Sequence, residues 1–240
     1  MPGGGGGLAF FQLVRSAAEI HLFTAVGHDE AGAEVEARLQ LSGAHVHIAR
    51  RRSAHTRDLV LIPPDGDRAI VVVGEPLHPR IDDPLPWDVL ATCDAAYFTG
   101  QDPRVLVAAR AARLLVATAR RRAVLIESGA RADLVVGSRV DPREASTLAD
   151  YPVPPSALVM TEGKEGGTVE TAAGVERFAA PLVPASEGGT YGAGDSFAAA
   201  LTYYVAAGMP VAAACARAAP HGAAVLGSID PLETQLALDG

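Results

Sequence analysis

The sequence predicts an α/β fold in which a mainly parallel sheet is covered by helices on both faces. Apolar, β-rich runs alternate with alanine-rich runs along most of the 240 residues, and this alternation is typical of parallel sheets whose crossover connections are helices. Apolar residues make up 49% of the chain and charged residues 20%, which is enough for a sizeable core and excludes a disordered chain. The length fits a single domain over residues 1–240.

The strands and helices are expected in a regular order. Strands are predicted at 20–26, 46–49, 57–62, 68–73, 95–98, 114–117, 134–136, 158–161, 168–170 and 174–178. Helices are predicted at 31–41, 103–112 and 198–207, and one more helix follows near the end of the chain. The segment Pro63-Pro64-Asp65-Gly66-Asp67 has hairpin-turn chemistry, so residues 53–75 are expected to form a lid-like β-hairpin. The proline-rich stretch 76–86 is expected to be a surface loop.

Charge and cysteine content narrow the classes of function. The formal net charge is −8, which argues against nucleic-acid binding through the overall field, although backbone amides still suffice to bind an anionic nucleotide. Cys93 and Cys215 match no metal-ligand spacing and are expected to be reduced thiols. The sequence begins without a signal-peptide pattern, and Gly208 and Pro210 interrupt the most apolar stretch. Neither secretion nor a membrane span is therefore predicted, and a cytoplasmic location is expected.

A glycine-rich segment before the last helices carries the chemistry that the sequence predicts. Gly192, Ala193 and Gly194 stand immediately before a helix, where the free amides of the first turn and the helix dipole favour an anion such as phosphate. Asp195 follows directly, and a carboxylate beside a phosphate site is suited to take a proton from an attacking hydroxyl. The pattern by itself is equally compatible with a plain glycine turn followed by an N-cap aspartate.

Four segments in a fixed order resemble the motifs of the ribokinase-like (PfkB) carbohydrate kinase family. Gly192-Ala193-Gly194-Asp195-Ser196-Phe197 resembles the C-terminal signature of that family, and Gly3-Gly4 stands where the family has its glycine pair. Gly27-His28-Asp29-Glu30-Ala31-Gly32 resembles its Gly-Asp-Asp/Glu-x-x-Gly segment. Thr161-Glu162-Gly163-Lys164-Glu165-Gly166-Gly167 resembles the strand and loop that flank the nucleotide. The ordered set is hard to explain by chance, and the resemblance covers nearly the whole chain.

The resemblance implies a fold, an activity and a set of site residues. The fold would be a three-layer α/β/α sandwich of the ribokinase type, with the 53–75 hairpin as what remains of a small β lid. The activity would be ATP-dependent phosphorylation, with Mg²⁺, of a hydroxyl on a sugar, sugar-like or nucleoside substrate, and the lids of this family often form homodimer contacts. The implied assignments are catalysis by Asp195, Gly192, Ala193 and Gly194, nucleotide binding by Thr161, Gly163, Gly166 and Ser138, substrate binding by Gly3, Gly4, Leu8 and Thr190, and metal binding by Asp141.

The chain departs from the family pattern at several places. The family's N-terminal strand, with its substrate-binding aspartate, has no counterpart in these residues. Either the sequence starts short of that strand or is misassigned at its start, or the protein lacks the strand, and only a true loss is expected to leave sheet edges that a partner chain compensates. Leu8 replaces an asparagine that contacts sugar hydroxyls, and Gly189 replaces an aspartate that helps to bind a monovalent cation. Ser138-Arg139-Val140-Asp141 stands at the family's Asn-x-x-Glu motif, so Asp141 either organises metal-bound water or caps a helix that begins at Pro142.

These departures keep a second function open, that of a nucleotide- or metabolite-binding paralogue with little catalysis. The seven histidines show no metal-ligand spacing with a third partner, so residues such as His21, His45 and His47 are expected to be ordinary surface or core histidines. The arginine runs 50–52 and 120–122 are expected to be mainly solvated faces, with a contact from Arg120 to a phosphate as the functional alternative.

Overall fold

The computed structural model describes residues 3–61, 69–182, 189–226 and 228–239 of the chain. The turn predicted at Pro63-Pro64-Asp65-Gly66-Asp67 lies outside these residues. In chain order the described strands are β1 (His21–Val26), β2 (His45–Arg50), β3 (Arg57–Leu61), β4 (Ala69–Val73), β5 (Ala95–Phe98), β6 (Leu114–Thr118), β7 (Leu134–Ser138), β8 (Ala157–Thr161), β9 (Gly167–Thr171) and β10 (Gly174–Phe178). The helices are α1 (Gly4–Leu13), α2 (Glu30–Gln40), α3 (Pro103–Ala109), α4 (Arg122–Ser128), α5 (Ala193–Ala206), α6 (Val211–Ala224) and α7 (Pro231–Thr234).

The main sheet has the strand order β10-β9-β8-β7-β6-β5. The four strands from β5 to β8 are parallel to one another, and β9 and β10 continue the sheet as antiparallel strands. The sequence predicts this arrangement, because the middle strands are continuous apolar runs and parallel strands are buried on both faces. Short helical crossovers return the chain to the same end of the sheet each time.

Two hydrophobic layers cover the two faces of this sheet. Successive residues of β6 point to opposite sides, so Val116 packs with α5 and α6 whereas Leu115 packs with α3 and α4. The first layer includes Phe197 and Leu201 of α5, and the second includes Leu106 of α3. The result is an α/β/α sandwich, which confirms the predicted fold class. None of the described helices is long and apolar enough to cross a membrane.

The strands β1 and β2 form a separate parallel pair that is not hydrogen-bonded to the main sheet. A cavity of about 1250 Å³ lies between β1 and β5 and is lined by five consecutive residues of β1, from His21 to Ala25, and by all four residues of β5. Because consecutive residues of a strand point to opposite faces, a cavity that touches every residue runs along the strand edges. Both of these edges therefore face the cavity.

The strands β3 and β4 form a two-stranded antiparallel hairpin outside the sandwich, paired from Arg57 with Val73 to Leu61 with Ala69. Its apolar side chains are unusually exposed, with Leu59 at 55% and Val73 at 56%. An isolated hairpin is at best marginally stable in water, so we expect the exposed apolar side chains of this hairpin to pack against another surface.

The proline-rich stretch 76–86 lies at the surface, and an ion pair and hydrogen bonds fix it to the rest of the fold. Arg51, at the end of β2, forms a two-pronged ion pair with Asp83, with N–O distances of 2.6 and 2.7 Å, and donates to the carbonyl of His78 at 2.6 Å. The amide of Ile81 donates to Asp102, the N-cap of α3, at 3.0 Å. These bonds tie the stretch to both β2 and α3 and hold it along the cavity.

His78 on this stretch gives a pH-dependent contribution to stability. Burial, together with the positive charge of Arg121, lowers the pKa of its imidazole from 6.5 to about 4. The folded pKa lies below the unfolded one, so the contribution of neutral His78 is complete above pH 6.5 and is lost as the pH falls towards 4. In His78→Gln the free energy of unfolding should decrease less over this pH window. We expect the decrease to be smaller by ~2 kcal/mol, after allowance for solvent screening.

Chemical denaturation at several pH values between 6.5 and 4 measures this effect. The matched control is His28→Gln, because His28 is exposed and its replacement should leave the slope unchanged. An unaltered slope in His78→Gln would show that His78 does not report on acid stability.

Candidate active site

The predicted anion-binding segment forms the first turn of α5. Gly192 is the N-cap with a left-handed φ of 85°, and an added Cβ there would lie 3.1 Å from Pro231 and 3.2 Å from Leu8. Both the backbone conformation and the close packing therefore require glycine. At Gly194 an added Cβ would meet no atom within 4 Å. The first turn of this 14-residue helix thus presents amides, which have no helical partner, to open space where the helix dipole favours an anion.

Asp195 in this turn lies directly against the glycine-rich start of α1. A Cβ added to Gly5 would stand only 2.7 Å from Oδ1 of Asp195. The amide of Gly4 donates to the hydroxyl of Tyr191 at 3.0 Å, which fixes α1 to the turn before α5. The glycine pair Gly3-Gly4 and Asp195 are nearly two hundred residues apart in sequence, and the fold brings them together at one end of the cavity, which Gly3 and Gly4 line.

The position of α1 depends on Gln235, which follows α7. Its buried Nε2 donates both to the carbonyl of Leu8 at 2.8 Å and to Oγ of Ser196 at 3.1 Å, so one side chain joins α1 to α5. Leu8 itself is fully buried. The prediction that Leu8 faces the substrate therefore needs correction, because its side chain packs behind the site against Gly192. Thr190 is exposed at the start of the same turn, where its carbonyl accepts from Ala193 at 3.3 Å.

A half-buried tyrosine, Tyr97, lies near enough to Asp195 and to Arg121 for their charges to affect its hydroxyl. Burial strongly raises the pKa of the Tyr97 phenol, and the negative charges of Asp195 and Glu144 raise it further. Arg121 lies near Tyr97 and donates from Nε to the carbonyl of Thr99 at 2.7 Å. The hydroxyl of Thr99 in turn would lie 3.5 Å from a Cβ added to Gly6. The carboxyl end of β5 and the start of α1 are therefore in contact.

Arg120 lies on an exposed face, as predicted, and it also pairs with two acids of one neighbouring loop. Its Nη2 donates to Oδ2 of Asp141 at 3.0 Å and to Oε1 of Glu144 at 2.5 Å. The other oxygen of Glu144 accepts from the amide of Ser138 at 3.0 Å. Hydrogen bonds from Arg143, with the nearby charge of Arg120, lower the pKa of Asp141 to about 2. Asp141 is consequently ionised at neutral pH, and both carboxylates lie within reach of the single cation Arg120.

Asp141 does not cap a helix, which was one of the two roles predicted for it. Its Oδ1 accepts from the amide of Arg143 at 3.0 Å, so it closes a turn after Pro142, but no helix begins there. Glu144 is the acid that the sequence analysis missed. The turn at 139–143 brings Glu144 back to the end of β7. The separation of Glu144 from Ser138 in the sequence matches no motif that would predict this contact.

The residues that the family resemblance assigns to nucleotide binding lie at or just after the carboxyl ends of β7 and β8. Ser138 and Thr161 are direct register partners at these ends, where parallel sheets bind their ligands. Gly163 and Gly166 follow in the turn between β8 and β9, with left-handed φ values of 60° and 84°. A Cβ at Gly166 would lie 2.0 Å from the carbonyl oxygen of Phe178, whereas one at Gly163 would meet nothing within 4 Å.

The segment from Gly27 to Gly32 has a clear packing role. A Cβ at Gly27 would lie 2.2 Å from the amide nitrogen of His55, and one at Gly32 would lie 2.2 Å from the carbonyl oxygen of Gly27. Asp29 caps α2 by accepting from Gly32 at 3.1 Å and also accepts from the amide of His55 at 3.0 Å. These two hydrogen bonds lower the pKa of Asp29. The motif thus fixes the chain where it enters the β3–β4 hairpin.

Comparisons with known proteins agree with this arrangement. A model of the pfkB family carbohydrate kinases matches residues 134–235, which include the nucleotide-flanking turn and the start of α5. This segment is therefore similar to the pfkB family carbohydrate kinases. The family resemblance predicted from the sequence motifs is therefore confirmed. No curated protein matches the sequence.

Solved structures with the same fold match nearly all of this chain. Adenosine kinase from Sinorhizobium meliloti is 20% identical with a TM-score of 0.79, and the match covers 95% of this chain and 79% of that one. Ribokinase from Thermotoga maritima is 14% identical with a TM-score of 0.77, covering 99% and 85%. A putative ribokinase II from E. coli in complex with ATP and Mg²⁺ is 16% identical with a TM-score of 0.75, covering 98% and 86%. At these identities the likeness shows a ribokinase-type fold.

The two glycines of the β8–β9 turn provide a matched pair of substitutions. Gly163→Ala should cost ~1 kcal/mol of unfolding free energy, because only the left-handed φ is unfavourable. Gly166→Ala should cost more than ~3 kcal/mol, because the added Cβ also collides with backbone. Urea denaturation of both variants measures the difference. Equal losses would mean that the turn does not pack on Phe178 as described.

Proposed function

We propose that this protein is an ATP-dependent kinase that phosphorylates a hydroxyl of a sugar, sugar-like or nucleoside substrate. The observation that carries the proposal is the contact of Asp195, in the first turn of α5, with Gly5, which lines the large cavity. A base and an anion-binding turn, side by side, are what phosphoryl transfer to an alcohol requires. The family match and the fold support the same class of reaction.

Each part of the reaction has a group suited to it. The substrate hydroxyl is held near Asp195, which accepts its proton as the oxygen attacks the γ-phosphorus of ATP. The bond from that phosphorus to the β,γ-bridging oxygen breaks, and ADP leaves with the electron pair. The amides of Gly192, Ala193 and Gly194 stabilise the negative charge on the transferring group. Gly3 and Gly4, without side chains, let the substrate approach Asp195 closely.

The residues present also fit the nucleotide and its metal. Ser138, Thr161, Gly163 and Gly166 lie at the strand ends where a nucleotide binds in sheets of this kind, and Gly194 leaves room for phosphate. Asp141 and Glu144 supply carboxylate oxygens, which are the ligands that Mg²⁺ prefers, either directly or through its water. When bound, Mg²⁺ would neutralise charge on the phosphates. Arg120 pairs with both of these acids.

The β3–β4 hairpin is proposed to be the lid of this site and a contact surface in a homodimer. Residues of both of its strands, including Arg57, Val60 and Val72, line the cavity. Its exposed apolar residues are well suited to meet substrate or the same hairpin of a second copy. The start of the hairpin is tied to the site by Asp29, which bonds His55 and Arg57.

The substitution Asp195→Asn tests the proposed base. We expect turnover to fall roughly 10²–10⁴-fold, because an amide does not accept the proton, while the affinity for ATP stays close to that of the wild type. ADP formation from Mg-ATP with a panel of sugars and nucleosides, and separate nucleotide-binding titrations, measure the two effects. Wild-type turnover in Asp195→Asn would refute the assignment. Nucleotide binding with no transfer to any acceptor, in the unaltered protein, would support the binding paralogue instead.

Two neighbouring glycines of α1 test the geometry of the base. Gly5→Ala places a methyl group 2.7 Å from the carboxylate of Asp195, so we expect turnover to fall roughly 10–100-fold as the carboxylate is displaced. Gly6→Ala meets only ordinary contact at 3.5 Å and should raise the unfolding free energy by ~0.5–1 kcal/mol through better helix propensity, without loss of turnover. Steady-state kinetics and thermal unfolding of both variants check this, and equal activities would contradict the described contact.

A further inference from the structure

A cluster of metal-ligating side chains lies at the amino ends of β1 and β2, away from Asp195. His21 and His45 are direct register partners across the two parallel strands. His47 is two residues beyond His45 and so shares its face of the strand. Glu19 precedes β1 and completes the cluster. The sequence analysis treated these histidines as unrelated, because only strand pairing sets residues 21 and 45 side by side.

The imidazole rings are stacked in an ordered arrangement. The rings of His21 and His45 have centroids 4.6 Å apart and planes inclined by 13°, and the His21–His47 pair has 5.4 Å and 13°. Phe23 packs on His47 at 4.6 Å and on Trp87 at 4.9 Å, which closes the inner side with aromatic rings. The outer side is open, since the side chains of His45 and Glu19 are 58% and 71% exposed. An ion from solution therefore has access to the cluster.

The donor atoms already have the spacing of a metal site. Oε1 of Glu19 lies 3.0 Å from Nε2 of His21 and 3.3 Å from Nε2 of His45, and the three donor atoms all lie within 4.8 Å of one another. Tetrahedral Zn²⁺, with bonds of about 2.0–2.1 Å, separates its ligand atoms by about 3.3 Å. The atoms are therefore close enough to share one ion, provided that the stacked rings of His21 and His45 rotate until their Nε2 lone pairs converge on it.

His47 supplies the outer hydrogen bond that such a site needs. Nδ1 of His21 lies 3.1 Å from Nε2 of His47. When Nε2 of His21 binds a metal, its Nδ1–H donates to His47, and this bond fixes both the tautomer and the ring orientation. Two imidazoles and one carboxylate are a ligand set typical of zinc, with water in the fourth position.

We propose that Glu19, His21 and His45 bind one Zn²⁺ ion, with His47 as the positioning residue behind His21. The ion would join the segment that leaves α1 to the starts of β1 and β2, a strand pair that has no hydrogen bonds to the main sheet. The ten-residue α1 lies between Glu19 and the contact at Asp195, and it alone spans about 15 Å. The role of the ion is therefore structural, and the proposal is independent of the proposed kinase reaction.

Zinc titration of the full-length protein tests this proposal, with any histidine affinity tag removed and the protein first stripped with a chelator. Calorimetry should show one bound Zn²⁺ per chain, and Zn²⁺ should raise the melting temperature, while Mg²⁺ at the same concentration should not displace it. His45→Ala and Glu19→Gln each should weaken Zn²⁺ binding at least tenfold, because each removes one ligand. Both side chains are largely exposed, so these variants are expected to fold.

Two further variants make the test specific. His47→Ala should weaken Zn²⁺ binding roughly 10–100-fold, although it removes no ligand, because the outer hydrogen bond is lost. His28→Ala removes an exposed histidine elsewhere and should leave Zn²⁺ affinity and the zinc-dependent melting shift unchanged. The proposal is overturned if the unaltered protein binds no stoichiometric Zn²⁺, or if His45→Ala and Glu19→Gln bind it as tightly as the unaltered protein does.

Discussion

The contact between the first turn of α1 and the first turn of α5 is the constraint on which the site depends. It exists only because Gly5 has no side chain, since a Cβ there would nearly touch the carboxylate of Asp195. A helix that begins with four glycines is intrinsically unfavourable, by about 1 kcal/mol for each. Burial of Leu8 and Phe10 and the two hydrogen bonds from Gln235 offset this cost. Packing, not local propensity, therefore places α1.

An acidic chain can build an anion site when its own acids are neutralised nearby. Arg120 pairs with both Asp141 and Glu144, and Arg143 adds a second cation to Asp141. These pairs reduce the negative potential at the carboxyl edge of the sheet, so the amides at the start of α5 can attract phosphate. The net charge of −8 thus says little about the site, because the nearest charges decide its potential.

The interruption of the sheet gives the molecule its large cavity. β1 and β5 are each paired on one side only, and their other edges line the same space. An edge strand is normally covered or shielded, and here α1, the 76–86 stretch and the β3–β4 hairpin surround the opening. The strand pair β1–β2 is consequently held in place by α2, by Arg51 and by side chains at the ends of its strands. The histidine cluster lies at the amino ends of these strands, where a bound ion would attach them further.

The sequence by itself determined the order of the strands and of the helices α2, α3, α5 and α6, the α/β/α class, the glycine turn with Asp195 and the family that these motifs resemble. Each of these follows from local pattern, either apolar periodicity or a short contiguous motif. The tertiary structure decided that Leu8 is buried behind the site, that Glu144 returns to Ser138, that Arg120 pairs with two acids and that His21 lies beside His45. These contacts join residues across strand pairings and loop turns, and no local pattern encodes which distant side chains such pairings bring together.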